Sequence, residues 1–311
     1  MEELPLIKIL YLPLHLENEQ KALLRELRKN ARVVTGELLS DDWFSILKTA
    51  RDFKPQIILT QVQGDEQCNI PFFKKLKELD TFIINWNGDV RWGVPDFMVR
   101  LGKVIDLTLI TNKTQLPYLS SAGVNAAYWQ VTYDPEVFKP LGLKKKYDVS
   151  FFGSNYPDFP DSPLRFKMLQ EVDKEFDLHI FGTGWGGFKN LHPQLNNEDS
   201  AVAINESKVV LGISAFNNME CYTSDRAMRT MGCGTYYAPK EWKGMESEGF
   251  SRRVCGVWED IGEALALLRV ALDYMPDARE ETAKDGYEFI RDSFGPEAQV
   301  NKLKELLKWE M

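Results

Sequence analysis

The sequence is poor in the residues that metal centres and histidine-dependent catalysis use. It has four cysteines and three histidines in 311 residues. The cysteines are widely spaced, with no CxxC pair, which argues against a zinc site or a disulfide framework. His179 lies in the apolar run Phe176–Phe181, where we expect a hydrogen-bonded core residue rather than a catalyst. Cys/His or Ser/His/Asp catalysis is constrained by these counts but stays open. The four cysteines are Cys68, Cys221, Cys233 and Cys255.

Long apolar runs and an excess of positive charge are also missing. No segment of the sequence approaches the roughly 18 uninterrupted apolar residues that cross a bilayer. The first twenty residues, MEELPLIKILYLPLHLENEQ, lack the basic start and small-residue cleavage site of a signal peptide. The net charge of −8 disfavours non-specific attraction to nucleic acid, although a nucleic-acid acceptor stays open. We therefore expect a cytoplasmic protein.

What the chain does contain is a regular alternation of apolar strand-like runs and amphipathic helix-like stretches. This pattern predicts α/β domains with parallel sheets. The length of 311 residues is about twice that of a typical domain, so we expect two domains. Predicted strands are Leu6–Leu14, Val33–Leu39, Gln56–Val62, Thr81–Trp86, Leu107–Thr111, Ala126–Val131, Tyr147–Gly153, Leu178–Gly182, Val209–Ser214, Thr235–Ala238 and Val254–Trp258. Predicted helices are Glu17–Lys29, Asp41–Phe53, Pro71–Leu79, Pro95–Lys103, Thr114–Ala122, Pro163–Glu175, Asp199–Ser207, Ser224–Met231, Ile261–Tyr274, Asp277–Asp292 and Pro296–Trp309.

The stretch Asp134–Lys146 interrupts the alternation with two prolines, a glycine and a lysine run, so it predicts a connector between two domains with a cleft between them. Asp41 is the expected N-cap of the second helix, and Gly123 the expected C-cap of the helix that ends at Ala122.

Two glycine-bearing loops follow strands of the second half. Gly153, Ser154 and Asn155 come directly after a buried strand, where backbone N–H groups could approach a ligand. A glycine that merely permits a tight turn explains this loop equally well. Gly182, Gly184 and Trp185 follow the next strand. No helix follows that loop at the spacing of a dinucleotide fingerprint, so it favours a loop passing close to something bulky, with an unstructured surface loop as the alternative.

A third loop, Asn217–Thr235, carries most of the chemistry. Thr223 or Ser224 can cap the helix that follows, which would direct unpaired N–H groups at a ligand above the sheet. Arg226 and Arg229 lie three residues apart on that helix and could together bind a diphosphate or a carboxylate. The alternative pairs them with Asp225 and Glu220 as ordinary surface charges.

At this loop the sequence resembles the C-terminal domain of GT-B glycosyltransferases, especially the CgeB-like branch of the family 4 group (glycosyl transferases group 1). Those proteins carry Ser-x-Arg-x-Phe-Glu-x-x-x-x-Gly and then a short strand. Here the segment is Ser-Asp-Arg-Ala-Met-Arg-Thr-Met-Gly-Cys-Gly-Thr-Tyr from Ser224 to Tyr236. The resemblance spans roughly residues 130–311. Further segments that resemble the family in the expected order are Asp134–Pro140, Tyr147–Ser154, Asn205–Ser214 and Phe294–Leu307.

The resemblance implies the GT-B fold, which is two Rossmann-like domains facing across a cleft, with a C-terminal helix that crosses back to the N-terminal domain. The implied bounds are an acceptor-binding domain over residues 1–134, a nucleotide-sugar domain over 145–293 and the crossover helix over 294–311. It also implies a metal-independent glycosyltransferase with no cofactor, whose donor is a nucleotide-diphosphate sugar, above all a UDP-sugar.

One position departs from the family. Arg229 stands where members have a glutamate that binds the ribose hydroxyls, and arginine has no acceptor lone pairs. Either Glu220 replaces that glutamate, or Arg229 contacts a phosphate.

The leaving diphosphate's developing charge needs helix N-termini, hydroxyls or cations around it. The candidates are Ser154, Arg165, Thr223, Ser224 and Arg226, of which Arg226 is the expected catalytic group. Arg165 opens a helix soon after Gly153, and a surface arginine is the alternative for it.

In the N-terminal half, Asn85–Trp92 gathers aromatic, amide and charged side chains at the end of a predicted strand. Trp86, Asn87, Arg91 and Trp92 are the expected acceptor-binding residues, because aromatic faces stack on sugar rings and polar groups bond hydroxyls. Asp89 is a candidate general base if transfer inverts configuration, and would only orient the acceptor if configuration is retained. The alternative is a structural turn in which Asp89 pairs with Arg91.

Two other functions stay open. One is a non-catalytic, GT-B-shaped protein that binds a nucleotide or a sugar, and the other is a sugar-nucleotide epimerase on the same fold. The acceptor could be a glycan, a small molecule, a protein or a modified DNA base. The last is included because the segment Asn-Trp-Asn-Gly-Asp-Val-Arg, residues 85–91, resembles segments of viral proteins.

Overall fold

The computed structural model describes residues 7–130 and 132–308. Leu6, Val131 and Trp309, which end predicted elements, lie outside these ranges. The chain divides into two compact units, the first running to Thr132 and resuming at Pro296, the second spanning Tyr133–Gly295. Each unit contains a parallel sheet, as the alternating pattern predicts.

The first unit is built on a six-stranded sheet in the order β2-β1-β3-β4-β5-β6. Its central strands are buried on both faces, which is the pattern of a parallel sheet covered by helices on each side. Its strands are β1 Lys8–Leu12, β2 Arg32–Thr35, β3 Ile57–Thr60, β4 Phe82–Asn87, β5 Leu107–Ile110 and β6 Ala126–Tyr128. Its first five helices are α1 Asn18–Asn30, α2 Trp43–Phe53, α3 Ile70–Lys77, α4 Asp96–Gly102 and α5 Leu116–Ser121.

The second unit is built on a five-stranded sheet in the order β11-β10-β7-β8-β9. The chain places β8 and β9 on one side of β7 and then returns to place β10 and β11 on the other side. Its strands are β7 Tyr147–Phe152, β8 Leu178–Phe181, β9 Asn190–His192, β10 Ser207–Gly212 and β11 Tyr236–Pro239. Its helices are α6 Ser162–Glu175, α7 Asn197–Asn205, α8 Asp225–Gly232, α9 Ile261–Arg269 and α10 Pro276–Phe294.

The C-terminal helix, α11 Pro296–Leu307, returns to the first unit, as expected. Val300 and Leu303 join the buried cluster that contains Leu27 of α1. The indole Nε1 of Trp129 donates to the Gln299 carbonyl at 3.0 Å. Apolar burial and a buried hydrogen bond thus attach this helix to the unit where the chain begins.

Several elements differ from the sequence-based expectation. The predicted strand Val254–Trp258 is reduced to a single bridge between Lys240 and Trp258. Strand β9 was not predicted, because its three residues, Asn-Leu-His, carry no apolar run. The last turn of the predicted helix Ile261–Tyr274 is a π-helical turn over Val270–Tyr274, so α9 ends earlier.

The predicted N-cap of α2 is off by one residue. The Asp42 carboxylate accepts from the N–H groups of Phe44 and Ser45, whereas Asp41 accepts from the Glu37 N–H at 2.8 Å within the preceding loop. Gly123 follows the C-cap of α5 with φ +78°, a left-handed conformation that glycine adopts without steric cost. Within residues 7–130 and 132–308, no helix is long and apolar enough to cross a membrane.

Candidate functional site

Arg226 lies where β7 and β10 are adjacent at the carboxyl edge of the second sheet. Its Nε donates to the carbonyl of Phe152, at the end of β7, and its Nη1 to the carbonyl of Ile213, just after β10, at 3.4 Å. These two strands mark the point where the order of strands reverses. Ligands of open α/β sheets bind outside the strand ends at such a point.

A second guanidinium approaches the same strand end. Arg165 of α6 is 4% exposed, and its Nη2 donates to the Ser154 carbonyl at 3.2 Å. Both guanidiniums stack on the ring of Phe151, Arg226 at 4.6 Å and Arg165 at 5.4 Å from its centroid. Arg165 also lies 5.7 Å from the ring of Trp185. The alternative of a surface arginine at position 165 is wrong, since this side chain is buried.

The charges of the two arginines act on nearby carboxylates, that of Arg226 on Asp225 and that of Arg165 on Asp161, without a direct ion pair. Among the described residues, neither Arg165 nor Arg226 has an acidic side chain at ion-pair distance. Burial, and secondly the neighbouring charge of Arg226, lowers the pKa of Arg165 to about 10. Two close positive charges that stack on one aromatic ring and donate to separate backbone carbonyls form a site that an anion would stabilise.

Glycines allow this cationic pair to reach the strand ends. Gly153 has φ +150°, and a Cβ there would lie 2.7 Å from Nη2 of Arg226. Gly182 has φ +156°, and a Cβ there would lie 2.3 Å from the carbonyl oxygen of Gly153. Any side chain at either position would separate the two loops or displace Arg226.

The two loops are tied together by polar contacts. Ser154 Oγ accepts from Thr183 Oγ1 at 2.9 Å, and the Asn155 N–H donates to the Thr183 carbonyl at 2.8 Å. The Asn155 side chain donates to the Gly184 carbonyl at 3.2 Å. Asn155 and Gly184 therefore hold the two loops together. The alternative of an unstructured surface loop is wrong.

Trp185 contacts the Gly153 loop and two neighbouring aromatic rings. Its Nε1 donates to the Gly153 carbonyl at 2.7 Å, and its ring packs against Phe166 and Phe151. The sequence favoured a loop that passes close to something bulky. In the structure this is Phe151 together with the Gly153 loop of the protein itself. Trp185 positions Gly153 and Arg165, and its ring faces are covered by protein aromatics.

Helix α8 begins at this edge, with Ser224 as its N-cap. Its first residue, Asp225, forms an ion pair with Arg229 one turn later at 3.0 Å and accepts from Ser224 Oγ at 3.0 Å. Desolvation raises the pKa of Asp225, but the charges of Arg229 and Arg226 outweigh it, so that pKa lies below its usual value. Arg229 is therefore paired with Asp225, as the alternative of ordinary surface charges expected. Arg226 is not paired in this way among the described residues.

The remaining residues predicted around this loop lie elsewhere. Thr223 is buried just before the cap. Glu220 pairs with Lys243 at 3.5 Å and does not line the pocket formed by Arg226 and Arg229. That Glu220 takes the place of the family's ribose-binding glutamate stays a prediction.

A pocket of about 230 Å³ collects the central residues of this edge. Five of the sequence-predicted donor residues line it, namely Gly153, Ser154, Gly182, Arg226 and Arg229. Sequence reasoning missed eight lining residues, of which Gln194, Leu195, Ser200 and Ile204 follow the unrecognised strand β9. The missed lining residues are Phe152, Tyr156, Phe181, Gln194, Leu195, Ser200, Ile204 and Asp225.

The carboxyl edge of the first sheet has a different character. Asp89 pairs with Arg91 at 3.3 Å, and Arg91 donates to the Gln63 carbonyl at 2.9 Å. This is the ion pair of the structural-turn alternative. The Asp89 side chain is nevertheless 57% exposed and Trp92 is 76% exposed, so both side chains are accessible.

Trp86 and Asn87, also expected to contact an acceptor, point into the protein. Trp86 is 5% exposed and packs edge-on against Trp129 with ring centroids 5.4 Å apart, so it is a core residue and cannot stack on a sugar. Asn87 is buried and its Nδ2 donates to the Val62 carbonyl at 3.4 Å. Alternation along β4 explains the error, because neighbouring side chains of a buried strand face opposite layers of the core.

Buried amides support this edge. Asn85 accepts from the Val62 N–H at 2.7 Å, and Gln115 donates to the Arg91 carbonyl at 3.1 Å. Gln63 accepts from the Asp89 N–H at 3.4 Å. Neutral hydrogen-bonding groups, rather than unpaired cations, thus hold the loop that presents Asp89 and Arg91.

Comparison with known proteins finds one family model and many solved structures that resemble the chain. Residues 165–305 match a family model described as glycosyl transferase-like. This region includes Arg165, the glycine loop after β8 and all of α8. No curated protein matches the chain.

Solved structures match almost the whole chain at low sequence identity. Anabaena HepE in complex with UDP is 10% identical, with a TM-score of 0.68 over 97% of this chain and 100% of that one. Sucrose-phosphate synthase from Thermosynechococcus elongatus is 11% identical, with a TM-score of 0.65 over 97% and 98%. The β-glucosyltransferase of phage T4 is 12% identical, with a TM-score of 0.65 over 96% and 99%.

These likenesses show the fold. Two parallel Rossmann-like sheets in sequence, and a match to such structures over nearly all of the chain, give the protein the GT-B fold, and the expectation from the sequence is confirmed. The chain is similar to glycosyltransferases, both in the family model for residues 165–305 and in its structural neighbours.

Proposed function

We propose that the protein transfers a sugar from a nucleoside-diphosphate donor to a hydroxyl acceptor. The observation that carries this proposal is the pair of arginines at the carboxyl ends of β7 and β10, held on one aromatic ring without a carboxylate partner among the described residues. A diphosphate is the anion that fits two adjacent guanidiniums, because the N–H groups that do not donate to the strand-end carbonyls can donate to phosphate oxygens.

The chemical step requires stabilisation of the leaving diphosphate. As the bond from the anomeric carbon to the diphosphate oxygen breaks, negative charge grows on that oxygen. Arg226 and Arg165 would neutralise it without a metal ion, and backbone N–H groups around Gly153 and Ser154 can donate to the same oxygens. Because the arginines are fixed by carbonyls and Phe151 before the ligand arrives, little reorganisation is required in the reaction.

The ribose of the donor is assigned to Asp225. It is the one carboxylate among the described residues that line the pocket, and Arg229 and Ser224 hold it in place. A carboxylate would repel the diphosphate but accepts hydrogen bonds from a vicinal diol. In this proposal Arg229 orients the carboxylate, which accounts for an arginine where the resembling family has glutamate.

The nucleobase is assigned to the wall formed by Gln194 and Leu195, which line the same pocket as Arg226. A UDP-sugar is the proposed donor, supported by the structural neighbours crystallised with UDP and with UDP-glucose. The acceptor hydroxyl is assigned to the exposed Asp89, Arg91 and Trp92 of the first unit. Asp89 would remove the hydroxyl proton in an inverting reaction, or orient the acceptor in a retaining one.

A panel of nucleotide sugars tests the proposal. We expect UDP-glucose to raise the melting temperature of the wild-type protein, and GDP-, ADP- and TDP-sugars to raise it less. Release of UDP in the presence of glycan, small-molecule and modified-DNA acceptors then measures transfer.

Stabilisation without UDP release from any acceptor would support the non-catalytic binding protein instead. Conversion of the sugar without release of UDP would indicate an epimerase. Stabilisation by none of the nucleotide sugars would contradict the donor site itself.

A further inference from the structure

Two of the three histidines of the chain face each other in the second unit. Nδ1 of His179, on β8, lies 2.8 Å from Nε2 of His192, on β9. Nε2 of His179 lies 3.2 Å from a carboxylate oxygen of Asp177. Because an ionised carboxylate only accepts, Nε2 of His179 carries a proton. In the neutral pair His192 therefore donates to His179, which donates to Asp177.

His192 joins the pair to a column of stacked rings that reaches the donor pocket. His179 lies nearly in the plane of His192, with centroids 5.1 Å apart along their hydrogen bond, and His192 stacks on Phe181 at 4.4 Å. Phe181 stacks in turn on Phe152 at 4.7 Å, with the two rings nearly parallel at 6°. Phe181 and Phe152 both line the pocket. The histidines thus support an aromatic wall of that pocket from behind.

The backbone gives a second connection. The carbonyl of His192 accepts from the N–H of Gly182 at 3.2 Å, and Gly182 lines the pocket. Gln194 and Leu195, on the wall assigned to the nucleobase, follow His192 by two and three residues. A displacement of β9 would therefore move both the wall and the glycine loop.

Few groups near the pair can offset additional positive charge. Asp177 faces His179 from the turn before β8, and the ring of Tyr147 on β7 lies 4.5 Å from that of His179. Lys189, next to β9 in the chain, donates to the carbonyl of Asp173. One added proton can be shared between the two rings, with Asp177 as its counter-charge. A second proton leaves two charged imidazoles whose facing nitrogens, Nδ1 of His179 and Nε2 of His192, both carry a proton.

Burial, and secondly the neighbouring His179, lowers the pKa of His192. A lowered pKa means that the folded protein favours the neutral imidazole. This contribution to stability is complete above the unfolded value of about 6.5 and is lost as the pH falls below it. Mild acid therefore acts against the closed pair.

We propose that the His179–His192 pair makes the donor pocket sensitive to pH, so that protonation of both rings opens the column at Phe181 and weakens nucleotide-sugar binding. The inference rests on the proposed donor function of this pocket. Near neutral pH the column is intact and the pocket wall is in place. In mild acid, repulsion between the rings separates β9 from β8 and removes the support of Phe181.

Calorimetric titration with UDP-glucose between pH 7.5 and 5.0 tests this inference. Its diphosphate is a diester and has no ionisation in that range, so changes in affinity report on the protein. We expect the affinity of the wild type to fall about tenfold, a change of about 1.4 kcal/mol. His192→Phe keeps a ring on Phe181 but cannot be charged, and should vary by less than about twofold. His15→Gln, which removes the third histidine, should behave like the wild type.

The outcomes separate the two proposals. No binding at pH 7.5 would contradict the donor function. Binding at pH 7.5 with the same affinity at pH 5.0 would contradict the pH device alone, and so would an equal fall of affinity in His192→Phe. NMR titration of the imidazole C–H signals adds a readout without ligand, in which protonation of the His179–His192 pair should occur in coupled steps.

Discussion

The carboxyl edges of the two sheets are alike in backbone architecture and opposite in chemistry. At the second sheet, Arg165 and Arg226 are cations without carboxylate partners among the described residues, and they approach strand ends that carry glycines. At the first sheet, Asp89 and Arg91 are already paired, and buried amides hold their loop. An unpaired cationic pair favours an anion, whereas a neutral, amide-supported edge favours hydroxyl groups. This difference supports the proposal that the second unit binds the diphosphate and the first unit the acceptor.

Arg226→Met removes the cation while keeping an apolar stem, and should have the largest effect. We expect transfer efficiency to fall about a thousandfold, since about two charge-assisted hydrogen bonds are lost. Two strand-end carbonyls also lose their donor, so the free energy of unfolding should fall by about 1–3 kcal/mol. Urea denaturation separates that loss from the loss of function.

Arg291→Met, an exposed arginine of the same unit paired with Asp292, is the matched control for Arg226→Met and should leave both quantities unchanged. Near-normal transfer by the Arg226 variant would contradict its contact with the diphosphate.

Asp89→Asn tests the opposite edge. Transfer should fall about a hundredfold in kcat if Asp89 is the general base, while the affinity for UDP-glucose stays that of the wild type. Stability should change little, because the exposed pair with Arg91 contributes less than about 1 kcal/mol. A parallel loss of donor affinity would mean that the two edges do not have separate roles.

Gly182→Ala tests whether the glycines let the loops meet. Its Cβ would collide with the Gly153 carbonyl, so donor affinity should fall about tenfold and stability by about 1–3 kcal/mol. Gly186→Ala, in the same loop, is the control, because a Cβ there meets no atom within 4 Å. Equal behaviour of the two variants in calorimetry and denaturation would show that the close approach of the loops is not required.

Asp225→Asn is the finest test and has the smallest expected effect. Affinity for UDP-glucose should fall about fivefold to tenfold, as a charged hydrogen bond becomes a neutral one, while affinity for inorganic pyrophosphate should be retained. For the 2′-deoxy analogue of UDP-glucose, wild type and variant should differ less. If both proteins bind the two nucleotides with the same ratio of affinities, Asp225 does not contact the ribose.

Much of the fold follows from local pattern. Apolar runs predicted every strand of the first sheet and all of the second except β9, and the amphipathic stretches between them predicted most helix ends to within a few residues. The errors occur where local signals are weak or shared. Asp41 and Asp42 are both good caps, and only the loop geometry selects Asp42. Strand β9 has no apolar run, and its pairing with β8 is visible only in the tertiary structure.

The sequence predicted some residues of the candidate site and missed or misplaced others. The residues at Gly153, Gly182 and Arg226 could be named because strand ends, glycines and helix caps are visible in sequence. Trp86 could not be placed correctly, because alternation says that neighbours face opposite sides but not which side is the core. Gln194, Leu195 and Phe181 were missed as pocket residues because they are brought together only by the order of strands in the sheet.

The sequence by itself therefore determined two parallel α/β sheets, the absence of a cysteine or histidine cluster with metal-ligand spacing, and the loop that carries Arg226. Only the tertiary structure decided which charges are paired. Arg226 and Arg229 are equivalent by spacing, yet Arg229 meets Asp225 one turn away, whereas Arg226 extends across two strand ends to backbone carbonyls. The physical reason is that an ion pair along a helix is a local contact. A cation held at the ends of β7 and β10 requires strands from distant parts of the chain to lie side by side.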